Sequence, residues 1–292
     1  MNSLIVDIVI EESERKSVKR HSFFCFNKIL NTLSVYIRNM PHNNLVKENK
    51  KNIGSLFDRI ASKYDLLNHL LTLNIDKYWR KKTVSQIRIS DNPSLLPDTK
   101  ILDVATGTGD LAIEILKQNK TNSIVGIDLS GQMLKIGKDK IRKYISENFS
   151  ENVAIHTDLM IANVENMPFE DSSFNAVTCA FGVRNFNNLK QGLNECFRIL
   201  KNNGQIVILE FAYPKNIIIR FFYNIYFTYI LPSAGRIISK DNTAYKYLMK
   251  SVKDFPKDNS FLDILQSCGF KNTSFKRLTF GIADIYVGYK NN

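Results

Sequence analysis

The stretch ILDVATGTGDLAIEI, residues 101 to 115, limits what this chain can fold into more than any other segment. An apolar run crosses Asp103, enters a loop of Thr106, Gly107, Thr108 and Gly109, and leaves in a helical pattern. Glycines at such a junction let bare backbone approach a ligand, and the free N–H groups opening the next helix point at it. A strand must precede the loop and a helix must follow it, which is the repeating unit of a parallel sheet flanked by helices. The remaining periodicities continue that unit. Strands are expected at Ile101–Ala105, Ser123–Ile127, Val153–Thr157, Ala176–Ala180, Gln205–Phe211, Thr273–Leu278 and Ala283–Tyr289. Helices are expected at Ser55–Leu73, Ile75–Ile89, Asp110–Gln118, Gly131–Glu147 and Asn188–Leu200. Five strands followed by an antiparallel pair predict a doubly wound α/β sheet closed by a C-terminal hairpin.

A loop of this kind holds an adenosine cofactor when an acidic residue ends the next strand and meets the ribose hydroxyls. SIVGIDLS places Asp128 there, nineteen positions after Gly109. GTGDLA also satisfies the G-x-G-x-x-A dinucleotide fingerprint, so an NAD-dependent oxidoreductase competes. The segment ANVENMPFEDSSFNAV, residues 162 to 177, carries a polar residue, a short loop, Pro168 and an acidic turn before the fourth strand. S-adenosylmethionine (AdoMet) methyltransferases place an amide or carboxylate beside the adenine in this way.

Composition narrows the partners. A chain of 292 residues, 44% hydrophobic, can bury one α/β domain with appendages. The net charge of +12 is scattered over the sequence, so it gives no compact site for nucleic acid, and none is expected. Cys25, Cys179, Cys196 and Cys268 form no Cys-x-x-Cys pair, so neither a metal site nor a disulfide framework is indicated. The most apolar stretch, residues 217 to 231, carries Arg220 and Asn224 and is shorter than the roughly 18 residues a spanning helix needs. It can still lie against a membrane. Residues 1–50 read apart from the rest: no Asp or Glu occurs between Arg15 and Lys47, while six Arg or Lys punctuate the stretch from Arg15 to Arg38, as in a mitochondrial transit segment. The acidic residues of MNSLIVDIVIEESE depart from that pattern, and a basic extension is the other reading. The folded domain is expected over 51–292.

LFDRIASKYDLLNHLLTLNIDKYWR (56 to 80), LDVATGTGDL, GIDLSGQMLKIGKDK, AFGVRNFNN (180 to 188), FRILKNNGQIVILEF and DNTAYKYLMKSVKDFP (241 to 256) together resemble the quinone-biosynthesis C-methyltransferases. The resemblance runs from residue 53 to 290. It implies the class I AdoMet-dependent methyltransferase fold with a helical cap around 213–256, and AdoMet as methyl donor. The acceptor it implies is a polyprenyl benzoquinol, 2-methoxy-6-polyprenyl-1,4-benzoquinol in the mitochondrial members and demethylmenaquinol in others. It further implies peripheral contact with the matrix face of the mitochondrial inner membrane, a homodimer, and a place in a multi-enzyme quinone-biosynthesis complex. Carried over by position, cofactor contacts fall on Asp103, Gly107, Thr108, Gly109, Asp128, Asn163 and Val164. Asn163 stands where many members have Asp, and Ala180 where some have Ser. Catalysis falls on Tyr64, Arg184 and Asn185. A guanidinium stays protonated, so Arg184 is expected to stabilise a developing phenolate while Asn185 and Tyr64 orient the water that takes the proton.

Each residue also has a purely structural reading. Tyr64 could pack the N-terminal helix, Arg184 could form a surface ion pair, and Asp103 could satisfy loop amides. His69, on an apolar helix face, reads as structural before it reads as a base. Two further function classes stay open: a methyltransferase for another hydrophobic phenol or sterol, and a non-catalytic scaffold of a quinone-biosynthesis assembly.

Overall fold

The computed structural model describes residues 53–88, 99–226 and 242–291, which fall within one compact unit. The basic segment 1–50 and residues 227–241 of the expected cap lie outside the described residues.

Seven strands form one sheet: β1 (Lys100–Val104), β2 (Ser123–Asp128), β3 (His156–Ile161), β4 (Phe174–Ala180), β5 (Leu200–Phe211), β6 (Lys271–Leu278) and β7 (Ala283–Tyr289), in the order β3-β2-β1-β4-β5-β7-β6. The first five run parallel, and β7 enters antiparallel beside β5. Alternation along the strands divides the apolar residues between two faces. Leu102, Val177, Ile206 and Tyr286 face a core shared with α5 (Leu189–Ile199) and α8 (Asn259–Ser267). Ile101, Ala176, Val207 and Ile285 face a core shared with α2 (Ile75–Val84), α3 (Asp110–Lys117) and α4 (Gly131–Asn148). Both faces are buried, as a parallel sheet requires. This is the class I methyltransferase arrangement.

Several boundaries differ from expectation. The third strand starts at His156, three residues after the expected Val153, because this edge strand buries only Leu159 and offers no apolar alternation to read. Helix α2 stops at Val84, short of the expected Ile89, with Ser85 and Gln86 closing it through backbone N–H bonds to Lys81 and Thr83. Asn188 is the cap of α5 and not its first turn: its side chain accepts from the Gln191 N–H at 3.2 Å. The expected cap is described as two helices, α6 (Ile217–Ile225) and α7 (Asn242–Asp254). Among the described residues no helix is long and apolar enough to cross a membrane.

The strand order reverses between β1 and β4, so the loops leaving their C-terminal ends diverge and open a crevice. Helix α1 (Ile53–Leu71) closes that crevice from outside. Its Gly54 lies so close to the loop after β2 that a Cβ there would stand 2.8 Å from the Leu129 carbonyl oxygen.

Candidate active site

The crevice is a cavity of about 360 Å³, within the range of small-molecule sites. Its floor is the C-terminal ends of β1, β2 and β4, and its walls are the loops that follow them. Gly107 opens onto it with φ +56°, a conformation a side chain strains, and an added Cβ would meet nothing within 4 Å. The bare backbone therefore faces open space.

Asp128 ends β2 at the cavity wall. One carboxylate oxygen accepts from the Gly107 N–H at 2.9 Å and the other from the Ser130 N–H at 2.8 Å, so the residue ties the glycine loop to the start of α4. Burial raises its carboxyl above the ordinary value, against the pull of those N–H groups. Asn163 and Val164 line the wall beside it, just past Ala162, whose N–H donates to the Asp128 carbonyl at 3.2 Å. The Asn163 carbonyl accepts from the Glu165 N–H at 3.0 Å, which leaves its second lone pair and its NH2 for a ligand. Ala180 is on the wall too and offers no side-chain hydrogen bond.

Three of the residues expected at the cofactor lie behind the cavity. Asp103 is buried beneath the loop, accepting from the hydroxyls of Thr106 at 2.6 Å and Thr178 at 2.8 Å. Burial raises its carboxyl to about 6 despite those donors. It satisfies hydroxyls, and neither loop amides nor the cavity. The Thr108 hydroxyl donates to Asp65 of α1. Gly109, at φ +79°, packs against Ile141, where an added Cβ would stand 3.0 Å from the side chain. It is needed for close packing of the loop on α4.

Helix α1 carries the rest of the wall. Phe57 and Tyr64, two turns apart, both line the cavity and meet edge to face with ring centroids 5.8 Å apart. One position further round the helix, Asp58 accepts from the Ser130 hydroxyl and from the Gln132 N–H at 3.1 Å, while Asp65 binds Thr108 and the Lys140 ammonium at 2.7 Å. Sequence reasoning singled out neither aspartate. Their seven-residue spacing, repeated by Phe57 and Tyr64, was the signal that could have found them. A further chain of charges supports this edge: Arg80 pairs with Asp76 and with Asp110 at 3.3 Å, and His69 bonds Asp76 at 2.8 Å. His69, Asp76 and Asp110 bring three ligand-type atoms within 4.8 Å of one another, but Arg80 and Lys140 already neutralise the carboxylates. His69 is structural here.

The loop after β4 forms a short 3-10 turn, Val183–Asn185, that holds Arg184 and Asn185. Asn185 lines the cavity; Arg184 lies behind it, 7% exposed. The guanidinium donates to Glu210 at 2.6 Å and to the Phe181 carbonyl, and sits 5.3 Å from the Phe211 ring centroid. Its Nε is buried with no partner among the described residues. Burial would lower the Arg184 pKa, but the Glu210 carboxylate outweighs it and holds the guanidinium above its ordinary value. Burial raises the Tyr64 phenol, opposed by Asn68 and by the charge of Arg184. Glu210 and Tyr247 are the other residues sequence reasoning left without a role: Glu210 is fully buried at the end of β5, and the Tyr247 hydroxyl donates to the Asn185 carbonyl at 2.9 Å. A carboxylate inside the apolar run IVILEF was the available signal for Glu210. The aromatic helix α6 does not line the cavity. It exposes Ile217, Ile218 and Phe222 to solvent.

The donor set fits AdoMet. A bare glycine backbone, a carboxylate ending β2, and an amide beside the apolar Val164 converge on one cavity of adequate size.

The model of the ubiE/COQ5 methyltransferase family matches residues 44–290. The ubiquinone/menaquinone biosynthesis C-methyltransferase UbiE of Geotalea daltonii is 41% identical over 244 residues, 83% of this chain and 98% of the relative. The demethylmenaquinone methyltransferase of Bacteroides fragilis is 36% identical over 250 residues, 86% of this chain and 96% of the relative. Among solved structures, a SAM-dependent methyltransferase from Thermotoga maritima, described as a possible histamine N-methyltransferase, superposes with a TM-score of 0.54 at 17% identity, covering 82% of this chain and 99% of its own. That likeness concerns the fold.

Proposed function

The chain belongs to the ubiE/COQ5 methyltransferase family and is an AdoMet-dependent C-methyltransferase of quinone biosynthesis, and from that premise we propose that it methylates a ring carbon of 2-methoxy-6-polyprenyl-1,4-benzoquinol. The observation that carries the reading is the placement of Tyr64 and Asn185 on the wall of the same cavity as Gly107, Asp128 and Asn163. A phenolic ring held by the first pair meets the cofactor held by the second group. AdoMet, when bound, supplies an electrophilic methyl carbon on a sulfonium sulfur. The chain's residues do the rest. Gly107, Asp128, Asn163 and Val164 hold the cofactor; Phe57, Tyr64 and Phe186 exclude water from the acceptor ring. Arg184, held by Glu210 behind the cavity wall, acts through space on the negative charge that develops on the ring oxygen as its proton passes to water, and the hydrogen of the ring carbon that gains the methyl group leaves as a second proton, restoring the aromatic ring. Tyr64 orients that water. Thr108, Gly109 and Asp103 act through the loop.

A second acceptor is favoured by one relative: the Bacteroides fragilis protein is a demethylmenaquinone methyltransferase. Purified protein incubated with AdoMet and equal concentrations of the benzoquinol and of demethylmenaquinol decides between them. Faster turnover of the naphthoquinol would replace the ubiquinone reading with the menaquinone one.

We also place the protein at the matrix face of the mitochondrial inner membrane, supported by the acid-free basic stretch after Arg15. A fluorescent protein fused behind residues 1–50 should enter mitochondria; a diffuse cytosolic signal would contradict this. The exposed Ile217, Ile218 and Phe222 support contact of α6 with the bilayer that holds the polyprenyl tail. Assembly as a homodimer within a multi-enzyme complex is part of the same proposal and is read by light scattering on the isolated protein.

A further inference from the structure

Tyr247, on α7, stands behind the cavity where two elements that line it meet, α1 and the turn after β4. Its ring is 5% exposed and packs with Ile53 and Leu56 of α1, the helix that carries Tyr64. Its hydroxyl, on α7, donates to the Oδ1 of Asn185 at 2.9 Å. The Asn185 backbone is fixed independently, its N–H donating to the Gly182 carbonyl at 2.9 Å. A primary amide carries a carbonyl oxygen that accepts and an NH2 that donates, about 120° apart on the same carbon. Turning the carbonyl of Asn185 to a ligand would break its bond to Tyr247, whereas its NH2 has no hydrogen-bond partner among the described residues and belongs to a side chain that lines the cavity, so the NH2 is the group left for the acceptor.

We infer that Tyr247 is a positioning residue that locks the Asn185 amide with its NH2 toward the acceptor, so that Asn185 donates a hydrogen bond to the ring oxygen where phenolate charge develops. This refines the proposed reaction and rests on it. It replaces a water-orienting role for Asn185 with direct stabilisation of the oxygen, which a fixed donor performs without reorganisation at the moment of reaction. The charged groups around the tyrosine leave it a donor. Burial and Glu210 raise its phenol and Arg184 lowers it, with the net result pushed up to about 12. It therefore keeps its proton at any pH at which the protein works. In the absence of that hydroxyl the amide carbonyl has no partner behind it, and the amide is free to turn its carbonyl to the cavity, where it repels a phenolate.

The test is Tyr247→Phe, which keeps the ring on Ile53 and Leu56 and deletes only the donor. The quinol kcat should fall threefold to tenfold at neutral pH, with the KM for AdoMet within twofold of the wild type. The limb of the pH profile set by ionisation of the ring hydroxyl should move upward, because the bound phenolate has lost a donor, and the loss should shrink at high pH. A merely structural role would lower kcat equally at all pH values. Asn185→Ala gives the second arm: with no amide to orient, adding Tyr247→Phe should change kcat by less than about 1.5-fold. An equal loss in both backgrounds would overturn the inference. If the wild type methylates neither quinol, the proposed reaction fails first, and the amide is then read without turnover. In protein labelled with nitrogen-15 at asparagine, the Asn185 NH2 signals should shift when quinol is added to the wild type, and shift less in Tyr247→Phe. Identical behaviour of the two would also overturn it.

Discussion

Replacing Glu210 by alanine should destabilise the protein far more than its position on a strand suggests. Its carboxylate is fully buried and accepts three hydrogen bonds: from the Arg184 guanidinium at 2.6 Å, the Arg184 N–H at 3.2 Å and the Phe211 N–H at 2.9 Å. Among the described residues, Glu210→Ala leaves Arg184, itself 7% exposed, with no counter-charge and an Nε that already lacks a partner. Breaking a buried pair on one side costs about 3–5 kcal/mol, because the remaining charge has neither water nor partner. For a domain of this size that is a fall in Tm of roughly 6–20 °C. The same reasoning predicts that Arg184→Met combined with Glu210→Leu recovers most of the loss, since the pair's attraction mainly offsets its own desolvation. The double variant should bind AdoMet near wild-type affinity and turn over no quinol. Urea denaturation of Glu210→Ala, of Arg184→Met and Glu210→Leu alone, and of the double variant measures this. If Glu210→Ala costs under 1 kcal/mol, or the double variant is no more stable than the single ones, the ion pair does not have the role given to it here.

Three further outcomes follow from the site. Asp128→Ala should weaken AdoMet binding by about 1.5–3 kcal/mol, the range for hydrogen bonds to a charged group, and titration calorimetry reads it; an unchanged Kd would remove Asp128 from the cofactor site. Gly107→Ala meets no atom but strains the backbone at φ +56°, so it should cost about 1 kcal/mol of stability by thermal melting, and a stabilised variant would refute that conformation. Asp103 is raised from 3.8 to about 6, so its contribution to stability is fully present below pH 3.8 and is lost as pH rises through 6. By linkage the loss is about 3 kcal/mol. Asp103→Asn should therefore remove that fall, and the difference between variant and wild-type stability curves should grow between pH 4 and 7; a flat difference would show that Asp103 ionises freely.

The inner parallel strands were legible because each is an apolar run that gives way to a loop, as β1 does at Thr106 and Gly107 and β2 at Asp128. The edge strand β3 was not, since Thr157, Met160 and Ile161 are partly or largely exposed and the apolar alternation that marks a half-buried strand is missing. The start of β5 at Leu200 was hidden for a related reason: LKNNG carries turn residues, Asn203 at φ +63°, yet pairs with its neighbour through Leu200 and Phe174. At the site, residues recognised by what they offer a ligand separated into two groups once placed. Asp128, Asn163 and Gly107 face the cavity, whereas Thr108 and Asp103 support the loop from behind, a distinction that depends on which way a side chain leaves the backbone. Contacts between segments far apart in the chain, Glu210 with Arg184 and Tyr247 with Asn185, have no local signature at all. They arise only when β5 and α7 are brought beside the turn after β4.

Carbon methylation of a phenolic ring is tested most directly by transfer from AdoMet labelled with carbon-13 at the methyl group. Purified protein, AdoMet and a short-chain analogue of 2-methoxy-6-polyprenyl-1,4-benzoquinol should yield a product whose labelled carbon has the chemical shift of an aryl methyl. Asn185→Ala should slow its appearance at least tenfold. A labelled methoxy signal would mean that the ring oxygen is the acceptor, and no labelled product from either the benzoquinol or the naphthoquinol would contradict the function assigned to this cavity.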